Sequence, residues 1–419
     1  METKQNQRWT QIVLLILAGE AIFLLPFVLV RIFRPTFLRV LEIDNTELGF
    51  SFSAYGILAL VSYSIGGIIA DKVAPKFLIA SALFATALGG FYLLKLPSAD
   101  ELIWLYGYWG VTTILLFWAP LLKATRNWGT QNKQAFAFGL LEGGRGAIAA
   151  LLGVFGLSVF ALETSSFETI SDLERINTFK TIVTVVSSFV ALVGLLVLVF
   201  LKRENPHGKQ SRLSLSDAFK VLKYSKTWLL MLIILSAYVG YKITDFFPQY
   251  ATDVLNTNEE QAGRYGTILM ITRPVTALLF ALIADRFLKN VLIQIGFIIM
   301  GCCAALFASG WITAQLTSLF LINMLITGIA VYAIRTLYFA LVEEGKFSYA
   351  KTGSIVGFVS VIGFTPDIFV GPVSGYYLDT YPGIKGFQFV FFGLFICAII
   401  GFASSHLFGS VTKRGNRVI

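Results

Sequence analysis

Nine ionisable side chains stand inside long apolar stretches of this 419-residue chain: Glu20, Arg31, Glu142, Arg145, Lys242, Asp245, Arg273, Arg335 and Asp367. A charge at the centre of a bilayer-crossing helix costs about 2.5–3.5 kcal/mol on the most lenient scale, so such residues usually face a cavity and serve binding or proton transfer. Guanidinium stays charged at any relevant pH and grips carboxylate, sulfonate or phosphate through a planar two-donor fork. Arg145, Arg273 and Arg335 lie deep in three different stretches and are the candidates for holding a small anion. Arg145 is about twelve residues into its stretch, roughly 18 Å along a helix. Tyr332 and Tyr338 flank Arg335 at three residues on either side, and Tyr241 lies at similar depth, a phenol face suited to a hydroxylated solute. Glu20, Glu142, Asp245 and Asp367 are the candidate proton carriers, because burial favours the neutral acid. His207 and His406, the two histidines, lie outside these deep positions.

The same residues have plainer readings. Glu142 and Arg145 are three apart on one helix face, as are Lys242 and Asp245, and each pair can neutralise itself. Arg273 precedes Pro274, where an interrupted helix frees a carbonyl for it to bond. Arg31 stands close enough to a helix end to snorkel toward water. Arg335 has no carboxylate three or four residues away on either side, which leaves Asp367 as a possible partner from another helix.

The elements that position these groups follow from composition. The chain is 56% hydrophobic and 14% charged, with a mean hydropathy of +0.75. A soluble domain is about 45–50% apolar and about 25% charged, so this is an all-α integral membrane protein rather than a soluble one. A crossing helix needs roughly 20 apolar residues. Twelve such spans are predicted, at 11–33, 47–69, 77–96, 102–122, 134–161, 179–201, 228–250, 262–283, 290–310, 316–341, 353–377 and 387–409. Of 33 Lys and Arg, 21 fall on the side of the N-terminus and seven on the other, which predicts cytoplasmic N- and C-termini. The net charge of +9 is therefore largely a topology signal, and nucleic acid is not an expected partner. Cys302, Cys303 and Cys397 sit in apolar runs without metal spacing, and no phosphate-loop, zinc-protease or serine-hydrolase motif is present. Neither an enzyme, a cofactor nor a metal is expected.

The polar stretch 202–226 divides the chain into a six-span half, 1–201, a cytoplasmic central loop with an amphipathic segment suited to the membrane interface, and a second six-span half, 227–419. The halves repeat. Gly49 recurs as Gly263, Ala70-Asp71-Lys72 as Ala284-Asp285-Arg286, Gly139 as Gly353 and Gly143 as Gly357, always 214 residues apart. Parallel six-span repeats around a substrate path are a transporter architecture. The glycines of span 5 (Gly139, Gly143, Gly146, Gly153) and span 11 (Gly353, Gly357, Gly371, Gly375) are expected to let the halves pack closely.

At the end of span 2, Gly67-Ile68-Ile69-Ala70-Asp71-Lys72-Val73-Ala74-Pro75-Lys76 resembles the loop signature of the major facilitator superfamily, with Ala74-Pro75 where Gly-Arg is usual. Trp118-Ala119-Pro120-Leu121-Leu122-Lys123, Glu142-Gly143-Gly144-Arg145-Gly146 and Leu378-Asp379-Thr380-Tyr381-Pro382-Gly383-Ile384 narrow the resemblance to bacterial inner-membrane carriers of the YihN type. The resemblance implies twelve helices in two pseudo-symmetric bundles, alternating access, and a gating role for Gly67, Asp71, Lys72, Asp285 and Arg286. A more distant likeness is to organic-anion and phosphate-ester carriers. The resulting expectation is a monomeric secondary active transporter of the bacterial inner membrane, moving a small organic anion such as a sugar acid or a phosphorylated or sulfonated sugar. Protons or a counter-anion would drive it, as symporter or exchanger, with membrane lipid as its surroundings. A carrier of a neutral sugar or drug-like solute, or a transporter-like sensor, are the alternatives.

Overall fold

The computed structural model describes residues 2–129, 134–163, 171–203, 224–284, 288–344, 359 and 361–415, and every regular element among them is a helix. Nine of these helical rods are long and apolar enough to cross a membrane. Asn45–Lys72, Glu259–Ala284 and Pro366–Thr380 take the places of spans 2, 8 and 11. The amphipathic part of the central loop lies outside the described residues. Below, the terminal face is the one carrying the N-terminus, and the far face is opposite. Trp9 and Trp228 stand half-exposed near the terminal face and Trp104 and Trp311 strongly exposed near the far face, as interfacial anchors do. Between them Leu88, Leu151, Leu162, Leu278 and Leu282 present their side chains outward, as a lipid-facing surface does.

Span 1 departs most from its predicted length. Its apolar run ends before Arg34, yet helix continues through Leu29–Leu41. Two prolines shape it. Pro26 sits in a π-helical turn at Leu24–Val28, and Pro35 follows Phe33, whose φ of −116° and ψ of 36° break the helix. Proline lacks an N–H and crowds the preceding turn, so a bulge or a kink must absorb it. The kink is gripped by its neighbours. A β-carbon on Gly156 of span 5 would lie 2.4 Å from the Phe33 ring, and one on Gly263 of span 8 would lie 3.1 Å from it.

The repeat is visible in the backbone. Glu42 and Asn256 both adopt left-handed φ, 53° and 56°, and Leu96 and Gly310 do the same at 54° and 75°, each pair 214 residues apart. Asp44 caps span 2 by accepting from the Glu47 N–H at 2.7 Å, and Asn258 caps span 8 by accepting from the Gln261 N–H at 2.8 Å. These are equivalent positions again. The apolar side chains form two buried cores, one built on residues 12–201 together with Met270 of the second half, and the other on residues 230–408.

The halves meet along two seams, span 2 against span 11 and span 5 against span 8. Toward the far face both are tight. A β-carbon on Gly49 would come within 2.5 Å of the Gly371–Pro372 backbone, and one on Gly375 within 2.4 Å of the Asn45 carbonyl. One on Gly153 would lie 2.5 Å from Thr267, and one on Gly146 would lie 2.9 Å from Pro274. Toward the terminal face the glycines of spans 2 and 5 lose such contacts among the described residues. A β-carbon on Gly67, Gly139 or Gly143 would meet no atom of the described residues within 4 Å. The expectation that Gly139 and Gly143 pack between the halves is thus corrected for this conformation, because span 5 diverges from span 8 beyond Gly146. Gly353 and Gly357 lie outside the described residues.

This contrast is testable. Gly49→Ala forces two backbones apart and should lower stability in detergent by about 1–3 kcal/mol. Gly139→Ala should be neutral or gain up to about 1 kcal/mol of helix propensity. Thermal unfolding of both variants checks the difference, and equal losses would refute the open terminal face.

Candidate functional site

Spans 1, 5, 7, 8, 10 and 11 bring the nine deep charges into one layer, buried apart from Glu142 and the partly exposed Arg335, in two ion-pair groups and one remainder. In the first group Glu20 of span 1, Glu142 and Arg145 of span 5 and Arg273 of span 8 close a ring. Arg145 Nε reaches Glu20 Oε2 at 3.0 Å and its Nη1 reaches Glu142 Oε1 at 2.6 Å. Arg273 bonds Glu20 Oε1 at 3.3 Å and pairs electrostatically with Glu142 Oε2 at 3.7 Å. Pro274 lies within the continuous helix Glu259–Ala284, and Arg273 is engaged by carboxylates of the other half. Arg145 also lies over the rings of Phe23 and Trp118. Glu142 is the most accessible member, its side chain 48% exposed.

The second group is built on span 7. Arg31 is 2% exposed and its Nε bonds Asp245 Oδ1, while its Nη1 donates to the Tyr241 hydroxyl. The snorkelling reading of Arg31 is corrected: span 1 runs on as helix to Leu41, so Arg31 lies inside the span, buried, rather than at its end. Lys242 Nζ stands 3.1 Å from Asp367 Oδ1 and 3.9 Å from Asp245 Oδ2, so its dominant partner is on span 11 rather than on its own helix. The ammonium also sits 4.6 and 4.5 Å from the Phe27 and Phe52 ring centres of the other half. Tyr238 donates to both Asp367 oxygens, at 3.2 and 3.0 Å. Asp367 is therefore occupied without Arg335.

Arg31 and Asp245 are 214 residues apart, the interval of the repeat. Two groups related by a two-fold axis can touch only close to that axis, so this ion pair marks the centre of the molecule. Arg335 is the remainder. Its guanidinium lies 3.5 Å from the Tyr241 ring centre, and Arg31 lies 4.2 Å from the same centre. Among the described residues it has no carboxylate partner, and its Nη1 is buried without a hydrogen bond. The Tyr332 hydroxyl is likewise buried and unbonded, with its ring 6.3 Å from that of Tyr241. Tyr338 is buried beside them. The structure thus brings Arg335, Tyr241, Tyr332 and Tyr338 together, and engages Arg145 and Arg273 elsewhere.

Beyond the layer, toward the far face, lies a lattice of cross-half bonds. Glu259 of span 8 accepts from Thr36 Oγ1 at 2.6 Å and from Arg39 and Arg175, each at 2.8 Å. Asp379 of span 11 accepts from the Asn45 and Thr46 backbone N–H groups at 3.2 and 2.8 Å, and from the Thr46 hydroxyl at 2.6 Å. Arg34 donates across the halves to Gln249 at 2.8 Å and within its own half to Asn45 at 2.9 Å. Sequence reasoning placed Arg34, Arg39 and Arg175 in outer loops and did not single out Glu259. The available signal was the charge at the first residue of span 8 where its equivalent, Asn45, is neutral. Of the gating residues, Gly67 is open and Lys72 exposed, and Lys123 donates to the Ala70 carbonyl at 2.8 Å, tying span 4 to that helix end. The Asp71 side chain and Asp285 and Arg286 lie outside the description.

A family description decides what this architecture is. The sequence model of the Major Facilitator Superfamily matches residues 14–364. The chain belongs to the major facilitator superfamily. Within it the chain is similar to two proteins of Escherichia coli (strain K12). Inner membrane protein YqcE is 27% identical over 399 residues, covering 93% of this chain and 91% of that one. Inner membrane protein YihN is 26% identical over 409 residues, covering 94% and 93%. The major facilitator fold also appears in solved structures. A bacterial homolog to the human lysosomal transporter Spinster, inward-facing and unoccupied, superposes with a TM-score of 0.75 at 16% identity, covering 97% of this chain and 98% of that one. The nucleoside transporter NupG gives 0.70 at 19%, covering 97% and 98%. FucP in the outward conformation gives 0.61 at 16%, covering 96% and 98%. The chain is a multi-pass major facilitator protein whose relatives are inner-membrane proteins.

The axial ion pair yields a direct test. Removing one partner strands a buried charge, so Arg31→Ala should cost about 3–5 kcal/mol. Arg31→Ala with Asp245→Ala should recover most of it, because the stranded carboxylate is gone. Unfolding curves of the two single variants and the double variant measure the coupling, and additive losses would show that the pair is not a unit.

Proposed function

We propose that this protein is a secondary active carrier of a small organic anion, with Arg335 as the group that receives the anion's charge. One observation carries this reading. Of the charges in the central layer, Glu20, Glu142, Asp245 and Asp367 are matched by Arg31, Arg145, Lys242 and Arg273, which leaves Arg335 in excess. A cation with a buried, unbonded N–H is an open valence for one negative charge. Tyr241, Tyr332 and Tyr338 supply the hydroxyl and ring surface around it, suited to a sugar acid or a phosphorylated or sulfonated sugar.

The two seams supply the motion. With the termini in the cytoplasm, as the distribution of Lys and Arg favours, the far face is the periplasmic side and the conformation described is closed there and open inward. Transport then requires the far seam to part and the terminal ends to close. Gly67, Gly139 and Gly143 offer a small-residue surface for that closure, on the same spans that make the far seam. Glu142, the most exposed carboxylate of the layer, and Asp367, held by Lys242 and Tyr238, are the acids from which a proton could be exchanged in symport.

Two experiments test the reading. In proteoliposomes, Arg335→Ala should remove most anion affinity, a loss on the order of 2–5 kcal/mol for a desolvated charge pair. Arg335→Lys should also impair uptake, since an ammonium lacks the planar fork. Unchanged affinity in both variants, with normal expression, would point to a neutral substrate or to another site. Gly143→Leu should leave anion binding intact while blocking turnover, because its side chain fills the surface on which the terminal ends must close. Normal turnover in that variant would contradict the closure assigned to span 5.

A further inference from the structure

We propose that Arg34 forms a second anion site, on the far-face side of the central layer, which binds a carboxylate- or phosphate-type group when the halves part at that face. The proposal rests on the anion-carrier reading and extends it to the opposite conformation.

Arg34 is 1% exposed, as buried as any charge in the central layer, yet among the described residues no carboxylate pairs with it. It is held by two neutral amides, Gln249 of the other half at 2.8 Å and Asn45 of its own half at 2.9 Å. Each amide passes the contact on to an acid. Asn45 Nδ2 donates to Asp379 at 3.0 Å, and Gln249 Nε2 donates to Asp253 at 3.1 Å. The carboxylates are thus kept one residue away, and the Arg34 Nη1 is buried with no hydrogen-bond partner. Its charge otherwise rests on the Phe246 ring, 4.2 Å from the ring centre.

A purely structural cation would be better served by direct contact with Asp379 or Asp253. What the arrangement provides instead is a guanidinium whose cross-half bond is a weak, exchangeable one. Gln249 and Phe246 belong to span 7 and move with the second half when the far seam opens, whereas Arg34 and Asn45 stay with the first. Parting therefore frees the Nε as well as the already unbonded Nη1. The Arg34 position lies three residues beyond Arg31 on the kinked end of span 1, so it borders the path from the far face to the axial pair. An anion arriving from that face would meet Arg34 before it reached Arg335. When the halves closed again, Gln249 would replace the anion on Arg34 and the anion would be passed inward.

A site that exists only in the far-open state makes a sided prediction. Zero-trans uptake of radiolabelled gluconate and of radiolabelled glucose 6-phosphate is measured in right-side-out and in inverted membrane vesicles carrying the full-length protein. In Arg34→Gln the half-saturating concentration presented to the far face should rise at least tenfold, while that presented to the terminal face stays within twofold. Arg34→Lys, which keeps a point charge, should fall between Arg34→Gln and the unchanged protein at the far face. Arg335→Ala should weaken both faces, which separates the two sites. Equal shifts at both faces, or a fall in maximal rate alone, would assign Arg34 to the closing of the seam and overturn the second site while leaving the carrier reading intact. If the unchanged protein takes up neither anion, the carrier reading fails for these anions and the second site fails with it.

Discussion

A charge held at membrane depth must be compensated within the protein, and most of this structure follows from that constraint. Nine ionisable groups sit in one layer, seven of them buried, and uncompensated ions in so poor a dielectric would cost several kcal/mol each. The ring of Glu20, Arg145, Glu142 and Arg273 answers the constraint by giving each guanidinium both carboxylates. Asp245 and Asp367 answer it by sharing Arg31 and Lys242. The length of span 1 serves the same end: its helical run continues past Arg31 to Leu41, so both Glu20 and Arg31 are carried inside the protein by a single span.

Much of the fold could be read in the sequence because its signals are local. Apolar length marks a crossing helix, and the recurrence of Gly49 and Ala70-Asp71-Lys72 at one interval marks the repeat. The backbone repeats at that interval too, down to the left-handed turns at Glu42 and Asn256. The candidate site was legible as a set of residue types but not as a set of partners. Intrahelical spacing correctly offered Glu142 to Arg145, yet it could not show that Glu20 and Arg273 complete the ring. It offered Asp245 to Lys242, where the nearer acid is Asp367 on span 11. Arg34 was hidden for a different reason. Hydropathy ends a span at the first cluster of charges, but here the helix runs on, and amides from spans 2 and 7 bury the guanidinium.

The repeat matters most where its two copies differ. Asn45 and Glu259 occupy the same place at the first turn of spans 2 and 8, yet one is an amide that receives Arg34 and the other a carboxylate that receives Arg39 and Arg175. The far seam is therefore fastened by unlike latches. Arg39 is largely exposed, so its bond to Glu259 is screened and cheap to break. The Asp379 carboxylate instead caps the start of span 2 through backbone N–H groups, a contact that needs no opposite charge.

The placement of charge between the halves shows how such a layer can still move. Glu20, Arg31, Glu142 and Arg145 all belong to the first half, and their charges cancel. Asp245, Asp367, Lys242, Arg273 and Arg335 belong to the second, and they sum to one positive charge. The halves can thus part without either being left with a large uncompensated charge, although every cross-half ion pair is broken. The first half can re-pair within itself, since Arg145 already holds both Glu20 and Glu142. The second half re-pairs through Lys242 with Asp245 and Asp367, and keeps a single excess cation. A bound monoanion would bring that half to neutrality as well. The anion would then lower the electrostatic cost of separation, which is the differential interaction a carrier needs for its substrate, rather than chance, to favour the change of state.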